Sequence, residues 1–246
     1  MQGLPPLAGR GERFFEHFAG TGRIKGGTAM TTYYDLSGTI FGGAITIGPA
    51  DEIVDFHGSG ISLDLFGTAI SSTLVDGFET VESGGLDSGS TLDVELSVMS
   101  GGTVIGATIE GRLSVMSGGT VSGSTIEGVL NVASGGTVIG LTVDSDNVLY
   151  NYTLAGEAIG VTLESGTVET ISSGGVALGT TVSNSTLFIS SGGLVSGATL
   201  YGRGVETVYS GGEASAPRSR AARRWSFGKP PSQAGTPSPA AGPCAS

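Results

Sequence analysis

Ser100-Gly101-Gly102-Thr103-Val104-Ile105-Gly106-Ala107-Thr108-Ile109 is answered seventeen residues later by Ser117-Gly118-Gly119-Thr120-Val121-Ser122-Gly123-Ser124-Thr125-Ile126. The Ser-Gly-Gly opening also stands at 83–85, 134–136, 173–175, 191–193 and 210–212. Units counted from the second glycine begin at Gly67, Gly85, Gly102, Gly119, Gly136, Gly156, Gly175 and Gly193 and run 18, 17, 17, 17, 20, 19, 18 and 19 residues. Their seventh position is always threonine: Thr73, Thr91, Thr108, Thr125, Thr142, Thr162, Thr181 and Thr199. Their eighth is always aliphatic: Leu74, Leu92, Ile109, Ile126, Val143, Leu163, Val182 and Leu200. A further apolar column closes each unit, read as Val81, Val98, Val115, Val132, Tyr152, Ile171, Ile189 and Val208.

A unit this short cannot be a propeller blade or a helical repeat. Each holds two short β-branched runs, such as Thr103–Ile105 continuing to Thr108-Ile109, and Leu113–Val115. They are bounded by glycine, the residue that accepts positive φ at corners. One unit cannot bury its apolar face alone, but stacked units bury Ile109 on Ile126 on Val143 and pair every backbone donor with the next coil. The spacing predicts an all-β chain: a single-stranded right-handed parallel β-solenoid (β-helix) of about eight to ten coils with a disordered C-terminal tail. Eight coils at about 4.8 Å each make a rod of roughly 38 Å. Length varies after the eighth position, which puts the tolerant loop on one side of the rod.

Composition fits a rod better than a globular enzyme. Glycine accounts for 45 of 246 residues and charged residues for only 13%, against about 25% charged in ordinary domains. Residues 67–211 carry fourteen acidic and two basic side chains, net −12. That balance excludes nucleic acid, which demands phosphate-neutralising cations, and docking to an anionic membrane. No apolar run reaches the ~20 residues of a membrane helix, so no direct membrane insertion is expected. The first 29 residues lack a signal-peptide apolar core. The one cysteine, Cys244, permits neither a disulfide framework nor a cysteine metal site.

The run from Ser100 to Ile109, repeated from Ser117 to Ile126, resembles the strand-loop-strand repeats of bacterial autotransporter passenger domains, of the diffuse-adherence adhesin kind. The resemblance covers residues 67–211. It implies an extracellular or bacterial cell-surface adhesive fibre, in some members glycosylated on repeat hydroxyls, whose partners are host or neighbouring cell-surface molecules or like chains. Full-length members end in an outer-membrane barrel; no ~10-residue alternating strands follow residue 212 here. The same repeat type also occurs in large secreted proteins without a barrel.

The expected organisation has four parts. Residues 1–29 are poorly ordered or form a short helix carrying Phe14, Phe15 and Phe18. Residues 30–66 form an N-terminal cap of degenerate coils, with strands at 31–36 and 45–47. Residues 67–211 are the eight-unit solenoid. Residues 212–246, with four arginines and six prolines after 216, form a disordered basic tail. The abrupt change at Glu213, inside a ninth repeat, reads as a frameshift or truncation scar.

The residues offer little chemistry. His17 and His57 lie outside the repeats, with no nucleophile motif around them, and His57 is expected to be a cap residue. Arg112 and Arg203 are too sparse for a polysaccharide-cleaving face. The calcium nonapeptide Gly-Gly-x-Gly-x-Asp lacks its aspartate, and the glycine-rich stretches lack the lysine and helix of a phosphate loop. No catalytic, cofactor-binding or metal residue is assigned, and no cofactor is expected. Alternation about the inward eighth position turns the seventh and ninth outward. The first of these is the threonine column. The second stacks Asp93, Glu110, Glu127, Asp144 and Glu164 in five consecutive coils. These two rows are the candidate exposed ladders: a solvated face whose charges deter aggregation, or a cation- or partner-binding surface. Ice binding needs two flat threonine rows, and the second row here is acidic. The expected function is a structural or adhesive surface module and not an enzyme. The alternatives are a carbohydrate-active β-helix enzyme and an inert spacer or fragment of a larger secreted protein.

Overall fold

The computed structural model describes residues 23–25, 33–35, 40–144, 151–164, 166–215, 218–220 and 223–226. Among them every regular element is a strand, and the chain winds as a parallel β-solenoid. The first face is a twelve-stranded sheet, ten strands of which pair in parallel. These include Thr68–Ile70, Leu86–Ser88, Thr103–Ile105, Thr120–Ser122 and Thr137–Ile139, each one coil above the last. Every neighbour pairs with its repeat equivalent, Val104 with Val121 and Val121 with Val138.

The rest of each coil changes along the rod. In the first coils a single long strand, Thr73–Val81 or Thr91–Val98, forms the whole opposite side. From the third unit onward that side breaks in two, Thr108–Ile109 and Arg112–Val115. Each later unit therefore has three strands where the sequence pattern predicts two runs, because the outward Glu110 and the crowded Gly111 end the pleat between them. The corner is also where unit length varies, at 76–77, 110–111, 127–128, 164–167 and 201–204.

The core is one narrow column. Val104, Ala107, Ile109, Leu113 and Val115 fill one coil, and all are buried. Ile109 sits between Leu92 and Ile126, and Ile126 under Val143, as the eighth-position column predicts. The closing column differs at one member. Val132 pairs with Leu154, not Tyr152. The closing turn of the 20-residue unit, Leu154-Ala155-Gly156, is two residues shorter than the Ser-Gly-Gly turns, so counting back four from Gly156 lands on Tyr152. Tyr152 is buried nonetheless, and its hydroxyl donates to the Gly128 carbonyl at 3.1 Å.

The two glycines of Ser-Gly-Gly serve different purposes. The first, Gly101 at φ +80, is the third residue of a tight turn closed by Gly102 N–H on the Met99 carbonyl at 2.9 Å, as in type II turns. The second adopts no positive φ. A Cβ on Gly102 would stand 2.4 Å from the Val81 carbonyl oxygen of the coil below. The turns themselves stack, Gly84 N–H on Gly101 O and Gly101 N–H on Gly118 O, so the ladder continues around the corner.

Both ends differ in part from the expected boundaries. Arg23–Lys25, in the segment expected to be poorly ordered or helical, is a strand lying antiparallel between Tyr33–Asp35 and Glu52–Val54. It covers an edge that would otherwise offer unpaired backbone groups. Within 30–66, Ile40–Ile47 pairs in parallel with His57–Leu65. At the other end, Glu213–Ala214, Arg218–Arg220 and Arg223–Ser226 stack on 194–195, 199–201 and 205–208. Coiling thus runs past residue 212, where the repeat sequence stops. A parallel ladder asks only for backbone donors, so a ninth coil can template on the eighth without repeat residues. Residues 1–22 and the expected tail beyond 226 lie outside the described residues.

Candidate functional site

The outward ladders are the surface the repeat builds. Thr73, Thr91, Thr108, Thr125, Thr142, Thr162, Thr181 and Thr199 pair one with the next in unbroken register. All eight are exposed or half-buried. His57, within the expected cap of degenerate coils, pairs below Thr73 and heads this column. Its Nδ1 lies 3.1 Å from the Asp55 carbonyl oxygen.

The acidic row runs alongside. Glu110 N–H bonds Leu92 O, Glu127 N–H bonds Ile109 O, Asp144 N–H bonds Ile126 O and Glu164 N–H bonds Val143 O. This slanted parallel pattern sets Asp93, Glu110, Glu127, Asp144 and Glu164 one above another. Asp93, Glu110 and Glu127 are exposed, Asp144 and Glu164 half-buried. Like charges one coil apart repel by about 1 kcal/mol in water, which an exposed row tolerates. Among the described residues no three His, Cys, Asp or Glu side chains are grouped to hold a metal ion. Nor is any helix there long and apolar enough to cross a membrane.

Beside the threonine column, one position earlier, lies a buried corner column. Ser90 Oγ accepts from Ser72 N–H, and Ser124 Oγ accepts from Ala107 N–H, both at 3.1 Å. The hydroxyl of one coil thus satisfies an amide of the coil below that the turn leaves without a ladder partner. Ser124→Ala is expected to destabilise the rod by about 1–2 kcal/mol and to speed hydrogen exchange at the Ala107 amide, read by NMR, while amides two coils away keep their rates.

The sequence pattern did not place carboxylates inside, yet Glu79, Asp87, Glu169 and Glu206 are all buried. Glu79 occupies the core column between Leu63 and Leu96. Glu169 sits between Tyr152 and Leu187, and Glu206 above Leu187. All three lie in the same motif: Glu79-Thr80-Val81, Glu169-Thr170-Ile171 and Glu206-Thr207-Val208. Parity could have revealed them, since a residue two before an inward aliphatic in a strand must also face inward. Burial pushes Glu169 up to about 7. Burial also raises Glu79 well above the usual carboxylate range, and the nearby Asp87 charge raises it further. Asp87 rises to about 6 by burial, opposed by hydrogen bonds from Ser90 and from backbone at Ser88.

No family model and no curated protein matches the chain. Among solved structures it is similar to a TibC-catalyzed hyper-glycosylated TibA55-350 fragment, at 20% identity, covering 78% of this chain and 95% of that one, with a TM-score of 0.37.

Proposed function

We propose that this chain is a non-catalytic presenting rod, an adhesive module of autotransporter-passenger type working outside the cell or at its surface. The observation that carries this reading is the unbroken register of eight threonines beside five stacked carboxylates. A strict repeat of weak contact points gains strength by number, since each contact after the first is made at high effective concentration. The low cationic content of the coils supports a binding role over catalysis.

The test is to change the length of the array without changing its chemistry. Deleting 102–135, two 17-residue units, joins equivalent positions and keeps the register. If the ladders bind by multiplicity, attachment of displaying cells falls roughly tenfold or more, well beyond the quarter of contacts removed. Undiminished attachment would mean that the rod is a spacer.

A further inference from the structure

Glu79 and Asp87 are two of the four buried carboxylates whose placement the ladder function does not require. They lie eight residues apart, on either side of the Ser83-Gly84-Gly85 turn, and face inward from opposite sides of the rod, Glu79 from Thr73–Val81 and Asp87 from Leu86–Ser88. Both are almost wholly buried. Neither oxygen of Glu79, nor Oδ2 of Asp87, nor Oγ of Ser72, has a hydrogen-bond partner. Ser90 Oγ donates to Asp87 Oδ1. Two adjacent carboxylates in a low-dielectric interior cannot both stay ionised without a counter-charge.

No counter-charge packs against them among the described residues. Inward neighbours are Leu63 and Leu65 from 57–65, Ala69 from 68–70, Leu92, Leu96 and Val98 from 91–98, and Val104 from 103–105. The titratable groups of these elements and the linking turns, His57, Asp64, Asp76, Glu82, Asp93 and Glu95, are exposed or half-buried on the outer surface. The strand carrying Glu79 is irregular immediately before it: the register slips between Val75 and Phe78, and both of these apolar side chains are exposed. The bulge supplies a place for the coil to open.

We propose that the Glu79–Asp87 pair is a proton-held joint: the first coils close when the pair takes up protons from solvent and loosen when both carboxyls ionise. Both groups are raised in the folded chain, so their contribution is fully present below the ordinary carboxylate range. It is lost as pH climbs through the folded values, with Asp87 at about 6. The joint is therefore tight in acid and loose above neutrality.

Hydrogen exchange of the full chain at pH 5 and pH 8, corrected for the intrinsic rate, tests this. Protection of 73–81 and 91–98 is expected to fall roughly a hundredfold at pH 8, the size of a two-unit shift, while 120–132 holds its protection. Glu79→Leu, which matches its column neighbours Leu63 and Leu96, is expected to keep most of the pH 5 protection at pH 8. Asp87→Asn, which retains a partner for Ser90, serves if the leucine variant does not fold. Equal protection of the parent chain at both pH values would overturn the joint, as would pH dependence surviving both substitutions. Calcium chloride alone restoring protection at pH 8 would also overturn it, by showing that the pair holds a cation and not a proton. Loss of cell attachment is not part of this readout, so the joint and the adhesive role fail separately.

Discussion

Gly128→Ala is expected to abolish the ordered stack around the fourth unit, costing about 3 kcal/mol or more, the upper range for forcing extra atoms into a packed interior. A Cβ there would stand 1.6 Å from the Gly111 carbonyl oxygen, and backbone cannot move aside as a side chain can. The clash propagates, because Gly128 O also receives the Tyr152 hydroxyl of the next unit. Gly140→Ala is the matched control. Gly140 lies at φ +60 with nothing within 4 Å of its Cβ position, so the substitution costs only left-handed strain, about 1–2 kcal/mol. Ser71 occupies the equivalent corner at φ +53, evidence that a side chain is tolerated there. Urea denaturation followed by far-ultraviolet circular dichroism measures both. Equal effects of the two alanines would refute the assignment of Gly128 to crowding.

The rod is expected to be more stable at pH 4.5 than at pH 8, and Glu169→Leu to remove the share of the difference that Glu169 contributes. The Glu169 carboxyl is held at about 7 by burial against an ordinary 4.5. A raised folded value means the contribution is whole below the unfolded value, declines between pH 4.5 and 7, and is gone above. About 1.4 kcal/mol per unit makes this roughly 3 kcal/mol. Leucine in its place continues the column toward Leu187, and burying an apolar group where an unpaired charge stood is favourable at high pH. Denaturation midpoints at the two pH values, with exchange at 168–171 as the local probe, decide it. A parent midpoint that rises with pH would contradict the sign.

These expectations rest on parts of the molecule that differ in how openly the sequence declares them. The solenoid and its outer ladders are visible because a parallel stack sets like residue upon like. Every constraint repeats at one coil, and the threonine and aliphatic columns survive units of unequal length. Leu154 is a case where that periodicity slips: five residues added between Val143 and Leu154 and a closing turn two residues shorter moved the column, and only hydrogen-bond register shows by how much. Glu79, Glu169 and Glu206 are a second case. Their alternation points inward, whereas carboxylates as a class favour the surface, so period and residue type disagree at these three positions.

Taken alone, the amino-acid order settles the coil length, the stacking partners and the face each column turns to water, because these follow from period and parity. The tertiary structure decides the three-sided cross-section, the strands that continue past the last repeat, and the enclosure of two carboxyls within one core. Those depend on distances between residues that meet only across the rod, where a carbonyl in the coil below or an acid on the opposite wall determines what fits.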